Sequence, residues 1–287
     1  MAWITRGLRN GVLTTRYPRR PDEYADQFQG SVDVVVPGSR DDPQGSVPAD
    51  SETVLAERPL PPCPTGAISW GDNSLPRIDR GRCILCGRCV EDQPDRFTQR
   101  QGSEVAVVDR RQLLVPRPGQ DSGRNAGGDL DELRRSLSAR TRRFRRSLYL
   151  RHIDLGSDGS EEWEITALLN PVYDIHRLGL FFTTTPRHAD LLMITGAGAR
   201  SMIGPLQRTL EAIARPFVVM AVGADAISGG MIAAGPDGSY AVVGGVGELA
   251  PVDVWVPGSP PSPFMILSGL LLAVGRLGAH SDPGATP

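Results

Sequence analysis

Cys83-Ile-Leu-Cys86-Gly-Arg-Cys89 is the stretch around which the 287-residue chain can be organised, read together with Cys63-Pro64-Thr-Gly-Ala-Ile68 upstream. These two pieces contain all 4 cysteines. Three closely spaced thiols can wrap one face of a compact metal cluster, and a remote thiol followed by Pro can close the other. Other uses of the thiols stay open at this point. Structural zinc usually takes two separated Cys-x-x-Cys pairs, a different spacing. Disulfides need an oxidising compartment, and the start Met1-Ala-Trp-Ile-Thr-Arg has neither a long apolar core nor a small-residue cleavage site. Unmetallated thiols would leave the spacing without a cause.

Composition bounds the rest. The length suggests two domains, and 40% hydrophobic residues suffice for real cores. A net charge of −2 implies no bulk attraction to nucleic acid, and none is expected as a partner. Residues 1–152 carry 25 Arg against 20 acids (+5), whereas residues 153–287 carry 6 Arg against 13 acids (−7), so the halves differ electrostatically. There is no Lys, which we attribute to base composition because the Arg residues sit in unlike contexts. No apolar run is long enough to span a membrane, and Phe264 to Val274 reads as a buried helix. The expectation is a cytoplasmic protein with no direct membrane span, peripheral to the inner membrane through partner subunits.

Along the chain, residues 1–30 suggest a short helix and an extended arm, and the Pro-, Gly- and Asp-rich stretch 31–62 suggests a loop or insertion. Ala67 to Trp70 and Leu75 to Ile78 read as paired strands around a Gly71-Asp-Asn-Ser turn, with Glu104 to Val108 as a closing strand. A module this small needs a staple. Residues 116–128 have linker composition. A helix opens at Asp129 and runs through Leu133, Leu137 and Phe144, with Arg residues on its other faces. It is either a basic arm docking on an acidic partner or on headgroups, or a solvated face. Beyond it, strands at Leu191–Ile194, Phe217–Val222 and Val252–Val256 alternate with helices at 203–213 and 262–277. That alternation indicates an open, mostly parallel α/β sheet with sites at the C-terminal ends of its strands. Gly196-Ala-Gly198-Ala-Arg-Ser201 partly imitates a dinucleotide fingerprint, but Ser201 stands where the third Gly belongs and Asp225 comes late for a ribose contact.

The four-thiol pattern resembles the ligation of a bacterial-ferredoxin [4Fe–4S] centre, which implies one such cluster on Cys63, Cys83, Cys86 and Cys89. A second resemblance rests on Asn170-Pro171-Val-Tyr173-Asp174, Pro186-Arg187-His188-Ala189-Asp190, Thr195-Gly196, Tyr240-Ala-Val-Val-Gly-Gly245, Pro251-Val-Asp253 and Pro257-Gly258-Ser259-Pro260-Pro261. In these blocks, roughly residues 148–277 resemble the small subunit shared by respiratory complex I and membrane-bound [NiFe] hydrogenases of the formate-hydrogenlyase type. Thr14-Thr-Arg-Tyr17-Pro18 and Phe28-Gln-Gly30 are similar to the leader of the ferredoxin-type subunit of the same complexes. The chain therefore looks like a fusion of two neighbouring electron-relay subunits. The expected architecture is an α+β ferredoxin-like domain over 1–115, a linker and basic helix over 116–147, and an α/β, flavodoxin-like domain over 148–280.

The departures from those families bear on function. The small subunit's own cluster is held by four thiols, and the matching positions here are Asp158, Glu161, Asp225 and Ser259. Oxygen ligands are not what holds an iron–sulfur cubane. A two-cluster ferredoxin would also need a thiol at Gln93 and three more at Thr53, Ala56 and Pro59. One complete thiol set thus survives. The rebuilt site could be vestigial, a proton-sharing or salt-bridged network, or a seat for a hard cation. Arg187 and His188 are implied to lie near the cluster and the large-subunit interface, or else to be a structural pair and a cap. The resemblance implies an electron-transfer or scaffold subunit, non-catalytic by itself, beside a large-subunit-like protein and membrane antiporter-like subunits. A self-contained oxidoreductase binding a nucleotide or flavin near Gly196 and Gly198, or a purely structural protein, are the other readings.

Overall fold

The computed structural model describes residues 2–20, 24, 27–35, 58–71, 75–116, 126–144, 146–234 and 238–277. The tip of the expected turn at 72–74, most of the expected 31–62 loop, the offsets Thr53 and Ala56, and linker residues 117–125 lie outside them.

In the C-terminal half, runs that are apolar without interruption become fully buried strands. β8 (Leu191–Thr195) and β9 (Val218–Val222) are buried at every position, as expected of parallel strands covered on both faces. They join β6 (Leu148–Asp154), β7 (Leu180–Phe182) and β10 (Val254–Val256) in one five-stranded sheet of order β10-β9-β8-β6-β7, every pair parallel. Counting from β6, the order is 2-1-3-4-5, the flavodoxin-like arrangement, and its topological switch point lies between β6 and β8. α4 (Ser160–Ala167), α5 (Ile203–Ala212) and α6 (Gly223–Ser228) follow strands in the chain. α7 (Pro263–Ala273) is apolar all round and buried along its length, with Ser262 Oγ accepting the Met265 N–H at 3.4 Å. It approaches the sheet so closely at Gly269 that a Cβ there would lie 2.6 Å from Val256 Cγ2 and 3.3 Å from Met220 Sδ.

The N-terminal half is built of small sheets. β1 (Gln29–Val34) pairs antiparallel with β4 (Phe97–Gln101), while β3 (Pro76–Asp79) pairs with β2 (Ile68–Trp70) and with β5 (Leu114–Val115). α1 (Ala2–Asn10) precedes them, α2 (Arg88–Asp92) follows the cysteine loop, and α3 (Ala126–Thr141) leads to the second half. The apolar core of the small sheets is slight: Val32, Val34, Ile78 and Phe97, with Cys83, Cys89, Leu85 and Val90 packed against it.

Two expectations change. Residues 31–34 are strand, part of β1. Residues 104–108 do not close the β2–β3 sheet; that place belongs to β5. Instead Val107 exchanges both backbone hydrogen bonds with Trp255 on β10 (3.0 and 2.8 Å), and Val105, Val107 and Val108 are buried in the cores around the parallel sheet. The run is apolar enough to serve either sheet, and the larger core offers more area to bury. The bridge also covers part of the β10 edge.

Asp33 on β1 ties this half together. It is 4% exposed and paired with Arg80, itself 8% exposed, and with Arg100. Arg80 immediately follows β3 and opens the cysteine loop. Asp33→Ala leaves the Arg80 guanidinium buried without its carboxylate and is expected to destabilise the module by about 3–5 kcal/mol. The check is the chemical-denaturation midpoint of the variant against the parent chain.

Candidate functional site

The cysteine loop is framed from below by Asp79. Its backbone oxygen accepts the N–H groups of Arg82 (3.0 Å) and Cys83 (3.1 Å), and its carboxylate accepts the Gly81 N–H (2.9 Å) and Arg110 Nη2 (2.6 Å). Leu85 then takes a left-handed φ of 55°, and Gly87 one of 76°. A non-glycine residue in that region carries backbone strain, which tends to be found at functional sites. Cys83, Cys86 and Cys89 line one pocket, and Cys63 lines the same pocket. Val32, Ile68 and Ile78 supply apolar wall. Backbone N–H groups point at the sulfurs: Ala67 N donates to Cys63 Sγ at 3.3 Å, Leu85 N to Cys83 Sγ, and Val90 N to Cys89 Sγ.

Burial pushes the Cys83 thiol up to about 12, and the negative charge of the other three thiolates adds to the rise. Burial likewise raises Cys89. No three His, Cys, Asp or Glu side chains among the described residues are gathered for a single metal ion. A mononuclear zinc would draw its sulfurs to within about 2.3 Å of one point. A four-iron cluster binds each thiolate on a different iron. The soft donors, the shared pocket and the inward N–H groups all fit such a cluster.

The expected second-cluster position is filled otherwise. Gln93 is buried; its Nε2 donates to Pro59 O at 3.0 Å and its Oε1 accepts Arg96 Nη1 at 2.8 Å. The buried Arg96 guanidinium also lies 5.2 Å over the Trp70 ring.

In the parallel sheet, Asp158, Glu161, Asp225 and Ser259 all lie beyond C-terminal ends of strands. Asp158 and Glu161 flank the N-terminus of α4, Asp225 is in the first turn of α6, and Ser259 follows β10. Glu161 is 1% exposed, its Oε1 has no hydrogen-bond partner, and it packs directly on Gly223, where a Cβ would collide with it. Burial raises its carboxyl to about 7, with the charges of Asp225 and Asp158 adding to the rise. Burial raises Asp225 too. Asp158 is exposed and held low by Ser160, whose Oγ and N–H donate to it at 2.6 and 2.9 Å; the same Oγ lies 3.2 Å from Glu161 Oε2. Three of the four positions thus share one electrostatic site. The loop of Ser259 joins them through Ala224 N, which donates to Gly258 O at 2.6 Å. These three carboxylates are likewise not gathered for a single cation.

A neighbouring network was not foreseen. At the switch point Glu162 accepts from Thr195 Oγ1 (2.5 Å) and Ser157 Oγ (2.9 Å), while His152 Nε2 lies 2.9 Å from Thr195 Oγ1 and 3.3 Å from Glu162 Oε1. Burial lowers the His152 pKa, and the carboxylates of Glu162 and Asp154 oppose that. His152 on a strand that continues into a Ser/Asp/Glu-rich turn is the only local sign of it.

The Gly196–Gly198 turn is occupied by the chain itself. Val243 N donates to Gly198 O (2.9 Å), Gly244 N to Ala197 O (3.3 Å) and Arg200 N to Ala241 O (2.9 Å). A Cβ at Gly196 would stand 2.7 Å from Gly156 backbone atoms, so neighbouring loops explain the glycine without a nucleotide. Arg187 and His188 are exposed on a short 3-10 turn that leads into the N-terminal end of β8. They are not brought to the carboxylates, which lie beyond strand C-terminal ends, roughly 17 Å along a five-residue strand.

The two halves meet beside the site. The Cys83 loop packs at Gly81 against Ile227, where a Cβ would lie 2.6 Å from Ile227 Cγ2, and Ile227 is two residues from Asp225 on α6.

Residues 159–273 match the family model described as NADH ubiquinone oxidoreductase, 20 Kd subunit. The chain is 38% identical over 136 residues to formate hydrogenlyase subunit 7 of Escherichia coli K12, covering 47% of this chain and 52% of that one. It is 37% identical over 127 residues to an uncharacterized protein of Methanocaldococcus jannaschii, covering 44% of this chain and 82% of that one. It is 40% identical over 109 residues to an NADH-quinone oxidoreductase subunit of Mycolicibacterium vanbaalenii, covering 38% and 56%. The match to formate hydrogenlyase subunit 7 thus spans about half of that relative's length.

Proposed function

Because the chain belongs, through residues 159–273, to the NADH ubiquinone oxidoreductase 20 Kd subunit family, we propose that it is an iron–sulfur electron-transfer or scaffold subunit of a membrane-associated, complex-I-like or hydrogenase-like oxidoreductase. In this reading the ferredoxin-like half is fused to a small-subunit-like half whose own cluster site has been rebuilt in carboxylates. The observation that carries it is the single pocket lined by Cys63, Cys83, Cys86 and Cys89, with its loop packed on the helix bearing Asp225. The antiparallel β1–β4 and β2–β3 pairs around that pocket support a ferredoxin-like module.

A [4Fe–4S] cluster held by these thiols supplies one-electron storage. The chain's own part is to hold the sulfurs, direct N–H groups at them and keep apolar wall around them, which tunes the potential. In this reading Glu161, whose carboxyl pKa burial raises, holds a proton where the family's thiols would stand. Large apolar side chains near these carboxylates in sequence are exposed, Trp163 at 77%, Met231 at 59% and Ile232 at 45%, and in this reading they meet a large-subunit-like partner. Antiporter-like membrane subunits would lie beyond that partner.

Isolation of the affinity-tagged chain from native membranes in mild detergent tests this reading. A stoichiometric large-subunit-like protein is expected, and its loss when Trp163→Asp and Met231→Asp are combined. Recovery of the chain alone, or with a soluble reductase, contradicts it.

A further inference from the structure

α1 leaves its apolar side chains exposed. Every side chain from Trp3 to Leu13 is exposed, with Trp3 at 76%, Leu8 at 79% and Val12 at 91%. At helical spacing Trp3, Ile4, Gly7 and Leu8 share one face, and Thr5, Arg6 and Arg9 share the other. A nine-residue helix is marginal in water, and one that leaves Trp and Leu in solvent invites a surface on which to lie. Residues 2–20 include five Arg (6, 9, 16, 19 and 20) and no Asp or Glu, so that surface is anionic. The arm is fixed to the body just afterwards, where Thr14 Oγ1 donates to Pro171 O at 2.8 Å and Thr15 N to Val172 O at 3.1 Å. Eight and nine residues past the helix, Pro18 and Arg19 line a groove together with Arg177 and Arg276. The fixed arm therefore carries further guanidinium groups a few residues along the chain from the exposed stripe.

We propose that α1 lies in the headgroup plane of an anionic phospholipid bilayer, with Trp3, Ile4 and Leu8 toward the acyl chains and Arg6 and Arg9 toward phosphates. No helix among the described residues is long and apolar enough to cross a membrane, so the contact is interfacial. A fluid surface suits this segment better than an acidic protein groove. The exposed apolar side chains continue past the helix at Val12 and Leu13, off a single helical stripe, and a bilayer accommodates that where a rigid groove does not. Arg suits phosphate because its planar donors engage two oxygens at once. The chain would then touch the membrane directly as well as through partners. This inference stands on the arm alone and is independent of the thiols.

The test is sedimentation of the full chain with protein-free vesicles, either phosphatidylcholine alone or phosphatidylcholine with phosphatidylglycerol. Partitioning at least tenfold stronger onto the anionic vesicles is expected, with most of it lost in half-molar salt. Trp3→Ser with Leu8→Ser should weaken binding tenfold or more, and Arg6→Gln with Arg9→Gln several-fold. Both pairs are exposed, so an unchanged unfolding midpoint confirms an intact fold. Equal binding to both vesicle types overturns the proposal, as does no binding to either, or a Trp3→Ser/Leu8→Ser variant that binds like the parent. A chain that ignores vesicles but is retained through α1 on a partner protein also overturns it.

Discussion

Cys83→Ser reduces bound iron to near zero and unfolds the N-terminal module at denaturant concentrations where the sheet domain remains intact. Cys83 is both a proposed ligand and part of the module's packing, since it sits against the small core of Val32, Val34, Ile78 and Phe97. A hydroxyl is a poor match for iron in a cubane and is the smaller, more polar side chain in that position. Binding free energy that couples to folding is lost outright when a ligand is removed. Destabilisation of the module by more than about 3 kcal/mol is expected, the scale of a lost structural constraint in a small domain. Cys86→Ser separates the two causes, because Cys86 is exposed and contributes little packing. It should lose iron as completely as Cys83→Ser. In cluster-free protein prepared anaerobically it should leave the unfolding midpoint within about 0.5 kcal/mol, the range of ordinary surface substitutions. Equal iron content in the parent and both variants would contradict the assignment of the thiols.

Glu161→Gln stabilises the chain at neutral and alkaline pH. The folded carboxyl is raised to about 7 by burial, against 4.5 for the ordinary group. The folded state therefore binds more protons than the unfolded chain between these values, and stability falls as pH rises through that window. The contribution is fully present below pH 4.5 and lost once pH passes about 7. A shift of this size corresponds to roughly 3 kcal/mol at 1.36 kcal/mol per pH unit. Glutamine keeps the shape, carries no charge, and places an N–H where Oε1 now has no partner. The difference between parent and variant, measured by denaturation at pH 5 and pH 8.5, should be small at the first and of order 2–3 kcal/mol at the second. Asp225 is also raised by burial, and because its charge is one cause of the Glu161 rise, removing the Glu161 charge relieves that repulsion as well. A variant less stable than the parent at pH 8.5 would show that the carboxyl is ionised and compensated there.

The parallel sheet was legible where strands were uniformly apolar: β8, β9 and β10, with α5 and α7 beside them, fall where hydrophobic runs and 3.6-residue spacing place them. β6 and β7 were not recognised. β6 carries Arg151, His152 and Asp154 because its C-terminal half runs into the switch-point network, and a strand that serves a site reads as polar. Residues 104–108 were recognised as extended but assigned to the wrong sheet, since local pattern does not reveal which core a strand will join. Spacing singled out the four thiols, and the structure lines one pocket with all of them. Glu161, Asp158 and Asp225 were located by comparison of loops, and the structure adds what spacing could not: a carboxyl with no partner, buried against Gly223. The Glu162–Thr195–His152 network depends on pairs 33 and 43 residues apart, and locally only His152 before a Ser/Asp/Glu-rich turn hints at it. Arg187 and His188 share a sequence block with β8 but sit before its N-terminal end, which a motif cannot distinguish from a place beside the carboxylates.

Iron and acid-labile sulfide should be counted per chain on protein reconstituted without oxygen, alongside the electron paramagnetic resonance spectrum of the reduced form. About four irons and four sulfides with one cubane signal are expected, because one set of four thiols lines one pocket and, in the proposed reading, Asp158, Glu161, Asp225 and Ser259 stand where a second set of ligands would be. About eight irons with two signals would place a second cluster among those oxygen ligands, and no iron at all would remove the electron-carrying role from this chain.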